Sequence, residues 1–163
     1  MERLTPTIVL VLVTLLVFAL LWWGWRRRAG SQSGLPAPAR PREGSTVLHG
    51  PVDGMYVATT TEGDPYDRIA VHGLGLRTPA DVVLTEDGVV LDRAGTGDFL
   101  IPWSDVRSAR TAQGMIGKFV EPDGLVVIGW TLAGTRLETG FRTRAADDRA
   151  PLITSIRRSI EED

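Results

Sequence analysis

The chain has 163 residues, no Cys, two His, and 18 Lys and Arg against 20 Asp and Glu. That length suits one compact domain and little besides. The missing Cys excludes a disulfide framework, a thiolate nucleophile, an iron–sulfur cluster and any zinc site that depends on sulfur, and His49 and His72 are too few for a His-rich metal centre. The net charge of −2 argues against nucleic-acid binding. It averages two unlike regions: residues 1–42 hold six Arg against one Glu, whereas residues 43–163 hold 12 bases against 19 acids.

Residues Ile8 to Trp25 read IVLVLVTLLVFALLWWGW, uncharged, with Thr14 the one clearly polar side chain. An unbroken apolar run of this length predicts a transmembrane helix. Thr5 and Pro6 offer an N-cap and a first helical position. The helix is therefore expected over about 6–25, roughly 30 Å long and matched to the hydrocarbon thickness of a bilayer. Trp22, Trp23 and Trp25 then fall at the headgroup interface, with Arg26, Arg27 and Arg28 in water or on lipid phosphates. A cleaved signal peptide is disfavoured. Glu2 offsets Arg3, the apolar run exceeds the usual length of about 7–15 residues, and the Arg block follows it, where it would obstruct translocation. Side-chain charges cancel before the helix, while Arg26, Arg27, Arg28, Arg40 and Arg42 follow it. The positive-inside tendency thus predicts a single-pass protein of the cell membrane, N-terminus outside and C-terminal domain cytoplasmic. The lack of Cys accords with a reducing compartment.

Beyond the anchor (residues 1–28), Ala29 to Ser45 reads AGSQSGLPAPARPREGS and predicts a flexible tether with a stiffer Pro-containing middle. Residues 46–163 suffice for one modest core. GMYVATTT at 54–61 reads as a strand. Residues 81–85 and 89–91 flank Glu86-Asp87-Gly88 as a hairpin, the Asp-Gly suiting a type I′ turn. A further strand is expected around Ile69–Val71. Phe99-Leu100-Ile101 follows a turn at Gly95-Thr96-Gly97, and Val106 to Thr111 alternates weakly. The apolar run 125–132 reads as a central strand, turning at Ala133-Gly134 into 135–143, with Leu137 and Phe141 inward. Leu152, Ile153, Ile156 and Ile160 recur at helical spacing, with Asp147, Asp148 and Pro151 near the helix start. The expected fold is an N-terminal transmembrane helix followed by a mainly β domain. That domain is read as an antiparallel barrel or orthogonal sandwich of six or seven strands, capped by a C-terminal α-helix.

Two stretches carry a family resemblance. FLIPWSDV at 99–106 resembles the strand-to-strand corner of the bacterial pleckstrin-homology-like (PH-like) domain proteins. GLVVIGWTL at 124–132 with LETGFR at 137–142 resembles an actinobacterial, membrane-anchored branch of them. Its members are often labelled transporter or export protein. The resemblance covers the whole chain and implies a fold and a location, but no reaction.

Motifs for chemistry are sparse. Ser104-Asp105 has no His nearby in sequence, no G-x-S-x-G occurs, His72-Gly73-Leu74-Gly75-Leu76 has too few Gly for a dinucleotide fingerprint, and the sole Lys, Lys118, is in no phosphate-loop motif. Glu62, Asp64 and Asp67 lack calcium-loop spacing and read as a solvated turn. No catalytic residue, metal or cofactor is expected. The acidic loop at 62–67 and the acidic domain also argue against a specific lipid headgroup, which needs Arg and Lys at the barrel mouth. Ala112 to Gly124 is long for a hairpin loop and carries Met115, Ile116, Lys118, Phe119 and Val120. These residues are candidates for partner contact, with core completion as the alternative. The reading is a membrane-anchored, non-catalytic interaction module whose partners are the bilayer, through the helix, and a protein. The alternatives are an accessory subunit of a transport or export system and, more remotely, a hydrolase.

Overall fold

The computed structural model describes residues 12–20, 22, 34–115, 118–119 and 124–162, and of residues 114, 115, 118 and 119 the backbone alone. The chain divides into two units, 1–34 and 35–163. In the first, residues 12–20 and Trp22 are helical. Leu12, Leu15, Leu16, Phe18, Leu20 and Trp22 are all exposed there, so the described helical residues bury no apolar stripe. Among the described residues no helix is long and apolar enough to cross a membrane. The remainder of the span expected over 6–25, and its flank at 26–28, lie outside the described residues.

The second unit is built on β1 (Val47–Thr61), β2 (Thr78–Thr85), β3 (Gly88–Arg93), β4 (Phe99–Pro102), β5 (Val106–Ala112), β8 (Leu125–Leu132) and β9 (Thr135–Thr143). Two short strands, β6 (Gly114–Met115) and β7 (Lys118–Phe119), lie between β5 and β8, and a C-terminal helix spans Arg149–Glu162. The seven longer strands form one antiparallel sheet in the order β4-β3-β2-β1-β9-β8-β5. The alternation read from β9 holds: Leu137, Thr139, Phe141 and Thr143 are buried, while Glu138 and Arg142 between them are not fully so. Every residue of β8 from Leu125 to Trp130 is buried, as its continuous apolar run requires. Leu152, Ile153 and Ile156 of the helix enter the same core as Tyr56, Phe99, Trp130 and Phe141. Each such large side chain removed from water contributes about 1.5–3 kcal/mol before the entropy of ordering it.

The structure corrects the expected closure and one expected strand. First, the sheet does not close into a barrel: β4 and β5 are its two edges. Each edge is covered instead. Residues before β1 run beside β4, where the Leu100 N–H donates to the Ala39 carbonyl at 2.8 Å. At the other edge the helix packs on β5, and Arg157 Nε donates to the Ala109 carbonyl at 2.9 Å. Such cover hinders another strand from adding to either edge. Second, no strand forms over 69–71. A single bridge joins Thr60 to Arg68, and a 3-10 turn at Val71–Gly73 follows, broken by His72 at φ 56. A left-handed residue cannot extend a strand.

The tether expected over 29–45 is docked from Leu35 onward. Leu35 packs on the core and its carbonyl accepts a hydrogen bond from His72 Nε2 at 2.7 Å. Arg42 pairs with Asp87 at 3.7 Å, Ser45 Oγ donates to the Asp87 carboxylate, and the Glu86 N–H donates to the Thr46 carbonyl at 3.0 Å. Residues 35–46 therefore form a strap along the domain.

Candidate functional site

Of the sequence-derived contact residues, Met115, Lys118 and Phe119 fall on a separate element. β5 and β8 pair as far as Ala112↔Leu125. The chain between them makes its own two-stranded ribbon, pairing Gly114 with Phe119 and Met115 with Lys118. That ribbon does not join the seven-stranded sheet. Ile116 and Val120 lie outside the described residues, as do Trp23, Trp25, Arg26, Arg27 and Arg28, while Trp22 is on the described helix.

The residues weighed for chemistry have structural employment. Asp64 Oδ1 accepts the N–H groups of Tyr66 and Asp67 at 3.0 and 3.2 Å, an Asx turn, and Asp67 accepts the Thr61 hydroxyl at 2.6 Å. Glu62 binds Arg107 Nη1 with both oxygens, at 2.9 and 3.1 Å, and Arg136 at 3.5 Å. Those cations, with the Arg107 hydrogen bond foremost, hold its carboxyl below the ordinary range. Ser104 and Asp105 sit in a 3-10 turn at Trp103–Asp105. Among the described residues His49 Nδ1 lies 3.5 Å from Ser155 Oγ, at the limit of a hydrogen bond, and no ion pair to a carboxylate there orients that ring. Among the described residues no three His, Asp or Glu side chains are placed to hold a metal ion.

The most unusual group is Arg93, the last residue of β3 and only 4% exposed. Parity along the strand puts it inside: Val89, Leu91 and Arg93 share a face. Its Nε donates to the Gly97 carbonyl at 3.0 Å, Nη1 to Gly73 at 2.8 Å and Nη2 to Thr96 at 3.4 Å. The guanidinium carbon lies 5.0 Å from the Tyr56 ring centre and 4.8 Å from that of Phe99. No carboxylate among the described residues forms an ion pair with it. Three carbonyls and two ring faces thus offset the cost of burying the charge. One side chain thereby ties the turn after β3 to the 71–73 turn. The sequence signal that points to Arg93 is the inward parity it shares with Val89 and Leu91.

A chain of buried polar groups adjoins it. Trp130 Nε1 donates to Thr139 Oγ1 at 2.9 Å. Thr139 and Thr59 hydroxyls meet at 2.7 Å, Thr59 and Tyr56 hydroxyls at 2.7 Å, and Tyr56 Oη donates to the Leu74 carbonyl at 2.7 Å. Indole N–H only donates and a carbonyl only accepts, so every proton in the series is assigned. Thr139 donates to Thr59, and Thr59 to Tyr56. Burial dominates the Tyr56 phenol and pushes its pKa up to about 12.

Outside this core, the strap and the turn after β3 form a cleft of about 570 Å³ whose lining includes Arg40, Arg42, Arg93 and His72 together with the acids Glu43 and Asp98. Thr96 Oγ1 is a buried atom with no hydrogen-bond partner. Beside the cleft, cross-strand register aligns Asp53, Asp81 and Asp92. The Asp92 carboxyl is raised, first by burial and then by the like charges of Asp98 and Asp81. The arrangement can bind and hold; a reacting constellation of nucleophile, base and orienting acid is not assembled among the described residues. The model of the family described as bacterial PH domain-like matches residues 34–157, and no curated protein matches the chain.

Proposed function

Since this chain belongs to the bacterial PH domain-like family, we propose that it is a non-catalytic interaction module, held at the inner face of the cell membrane by its apolar N-terminal helix and engaging a protein partner through the domain. The observation that supports this reading is the β6–β7 ribbon. It pairs with itself rather than with the main sheet, and its stretch of sequence carries Met115, Ile116, Phe119 and Val120 with few charges. An apolar element set on a rigid β frame suits recognition, and the anchor would raise its effective concentration near membrane partners.

The test is co-purification from membranes with the full chain, with a version lacking residues 1–28, and with Met115→Ser/Phe119→Ser in the full chain. The reading expects the same protein partner with and without residues 1–28. It expects loss of that partner in the double variant while circular dichroism shows the domain still folded. Unfolding of the double variant would make these side chains part of the core and overturn the contact assignment. Crosslinks arising only from residues 6–25 would instead make the chain an accessory subunit acting through its helix.

A further inference from the structure

We propose that the strap cleft is a binding site for a phosphate group, with Arg40 and Arg42 as its contacting cations and buried Arg93 as the fixed positive charge beneath them. The inference concerns the domain alone and stands whether or not the N-terminal helix crosses a bilayer.

Four observations converge. The cleft, about 570 Å³, is larger than an oxyanion and its waters need. Its floor carries a guanidinium that is 4% exposed and held in place by three carbonyls, with no carboxylate paired to it among the described residues. Those carbonyls satisfy its N–H groups but do not neutralise its charge, which leaves a positive potential that an anion in the cleft would relieve. Arg40 lines the same space, is exposed, and forms no ion pair among the described residues. The buried Thr96 hydroxyl, also on the cleft wall, has no partner.

Phosphate fits this set better than a cation or an apolar ligand. The cations lining the cleft are all Arg, whose planar fork matches phosphate oxygens two at a time. Arg40, Arg42 and Arg93 outnumber Glu43 and Asp98 there. Asp98 is already engaged, accepting the Arg93 main-chain N–H at 3.3 Å. Arg42, itself exposed, lies 3.7 Å from half-buried Asp87, a long pairing that a phosphate could replace. The domain as a whole is acidic and Asp92 stands beside Asp98 at the cleft, so direct Arg contacts rather than the longer-range field carry the binding.

The phosphate could come from a soluble phosphomonoester, for which inorganic phosphate is the probe, or from a lipid headgroup, for which phosphatidic acid is the probe. The full chain in dodecyl maltoside micelles is heated with inorganic phosphate, or with micelles doped with phosphatidic acid, against chloride and neutral lipid at equal ionic strength. At tenfold excess over the half-saturating concentration, Tm should rise by about 4–8 °C. Arg40→Ser/Arg42→Ser should abolish the rise while leaving circular dichroism unchanged, and Arg40→Ser alone should reduce it. A rise with inorganic phosphate assigns the soluble source, and a rise confined to phosphatidic acid assigns the lipid. No rise with either probe, or an equal rise in the double variant, overturns the site. If the double variant is unfolded, Arg40→Ser alone decides between the same two outcomes.

Discussion

The guanidinium of Arg93 stands 5.0 Å from the ring centre of Tyr56, and Tyr56 Oη reaches the Leu74 carbonyl at 2.7 Å. Arg93 itself donates to the neighbouring Gly73 at 2.8 Å. These two residues therefore fasten the irregular 71–76 segment to the sheet from both sides. Arg93→Lys keeps the charge but loses the fork that reaches three carbonyls. It should lower stability by about 2–4 kcal/mol, read from urea denaturation. Arg93→Met, which removes the charge, should also destabilise because the carbonyls lose their donors. Wild-type stability in Arg93→Met would show that the cation holds nothing.

Tyr56 sets an alkaline limit. Its folded pKa, pushed up to about 12, lies above the ordinary value of 10.0. The folded state therefore binds this proton more tightly than the unfolded state does. The associated stability is complete below pH 10 and is lost as pH rises towards 12, by about 2–3 kcal/mol in all. Tyr56→Phe should flatten that loss. It should cost about 1–2 kcal/mol at neutral pH, because Thr59 and Leu74 lose their partner. Denaturation midpoints across the alkaline range for both proteins give the answer.

The aligned acids make the opposite kind of prediction. The Asp92 carboxyl is raised by burial and by Asp98 and Asp81, so its favourable contribution is present at low pH and is lost as pH rises through the raised value. Asp92→Asn should therefore increase Tm at pH 7 and have no such effect below the carboxylate range. The gain should shrink in high salt. Thermal melts at two pH values and two salt concentrations decide it, and a gain independent of pH would refute the electrostatic account.

Gly88 tests the β2–β3 corner. The type I′ expectation placed it within the turn, but it opens β3 opposite Thr85 at φ 150. A Cβ there would stand 2.1 Å from the Ile101 carbonyl oxygen and 2.9 Å from Pro102 Cα. Gly is needed because β4 passes so close. Gly88→Ala should destabilise by about 2–4 kcal/mol by displacing β4. A neutral effect in a denaturant titration would contradict the observed β3–β4 spacing.

The strap is part of the domain rather than a spacer. A chain starting at Thr46 loses the Leu35–His72 and Ala39–Leu100 hydrogen bonds and uncovers β4. Compared with a chain starting at Leu35, it should melt lower, by about 3–6 °C for each kcal/mol lost. It should also self-associate through the exposed edge, as light scattering would show. Equal melting and solution behaviour would return 35–45 to the status of a tether.

The sequence by itself determined what periodicity can carry. The apolar runs at 125–132 and 135–143 and the stripe Leu152, Ile153, Ile156 and Ile160 led to two strands and a helix, because one face of each must leave water. Tertiary structure alone decided the features that depend on neighbours distant in the chain. Nothing local to Leu35-Pro36-Ala37-Pro38-Ala39 shows that a sheet edge waits for it, since its one ladder bond goes to Leu100. The same holds for Arg93. Strand parity turns it inward, but only the carbonyls of Gly73, Thr96 and Gly97, with the rings of Tyr56 and Phe99, make a buried cation tolerable there. Those partners converge only after folding, so the cleft they border could be seen only in three dimensions.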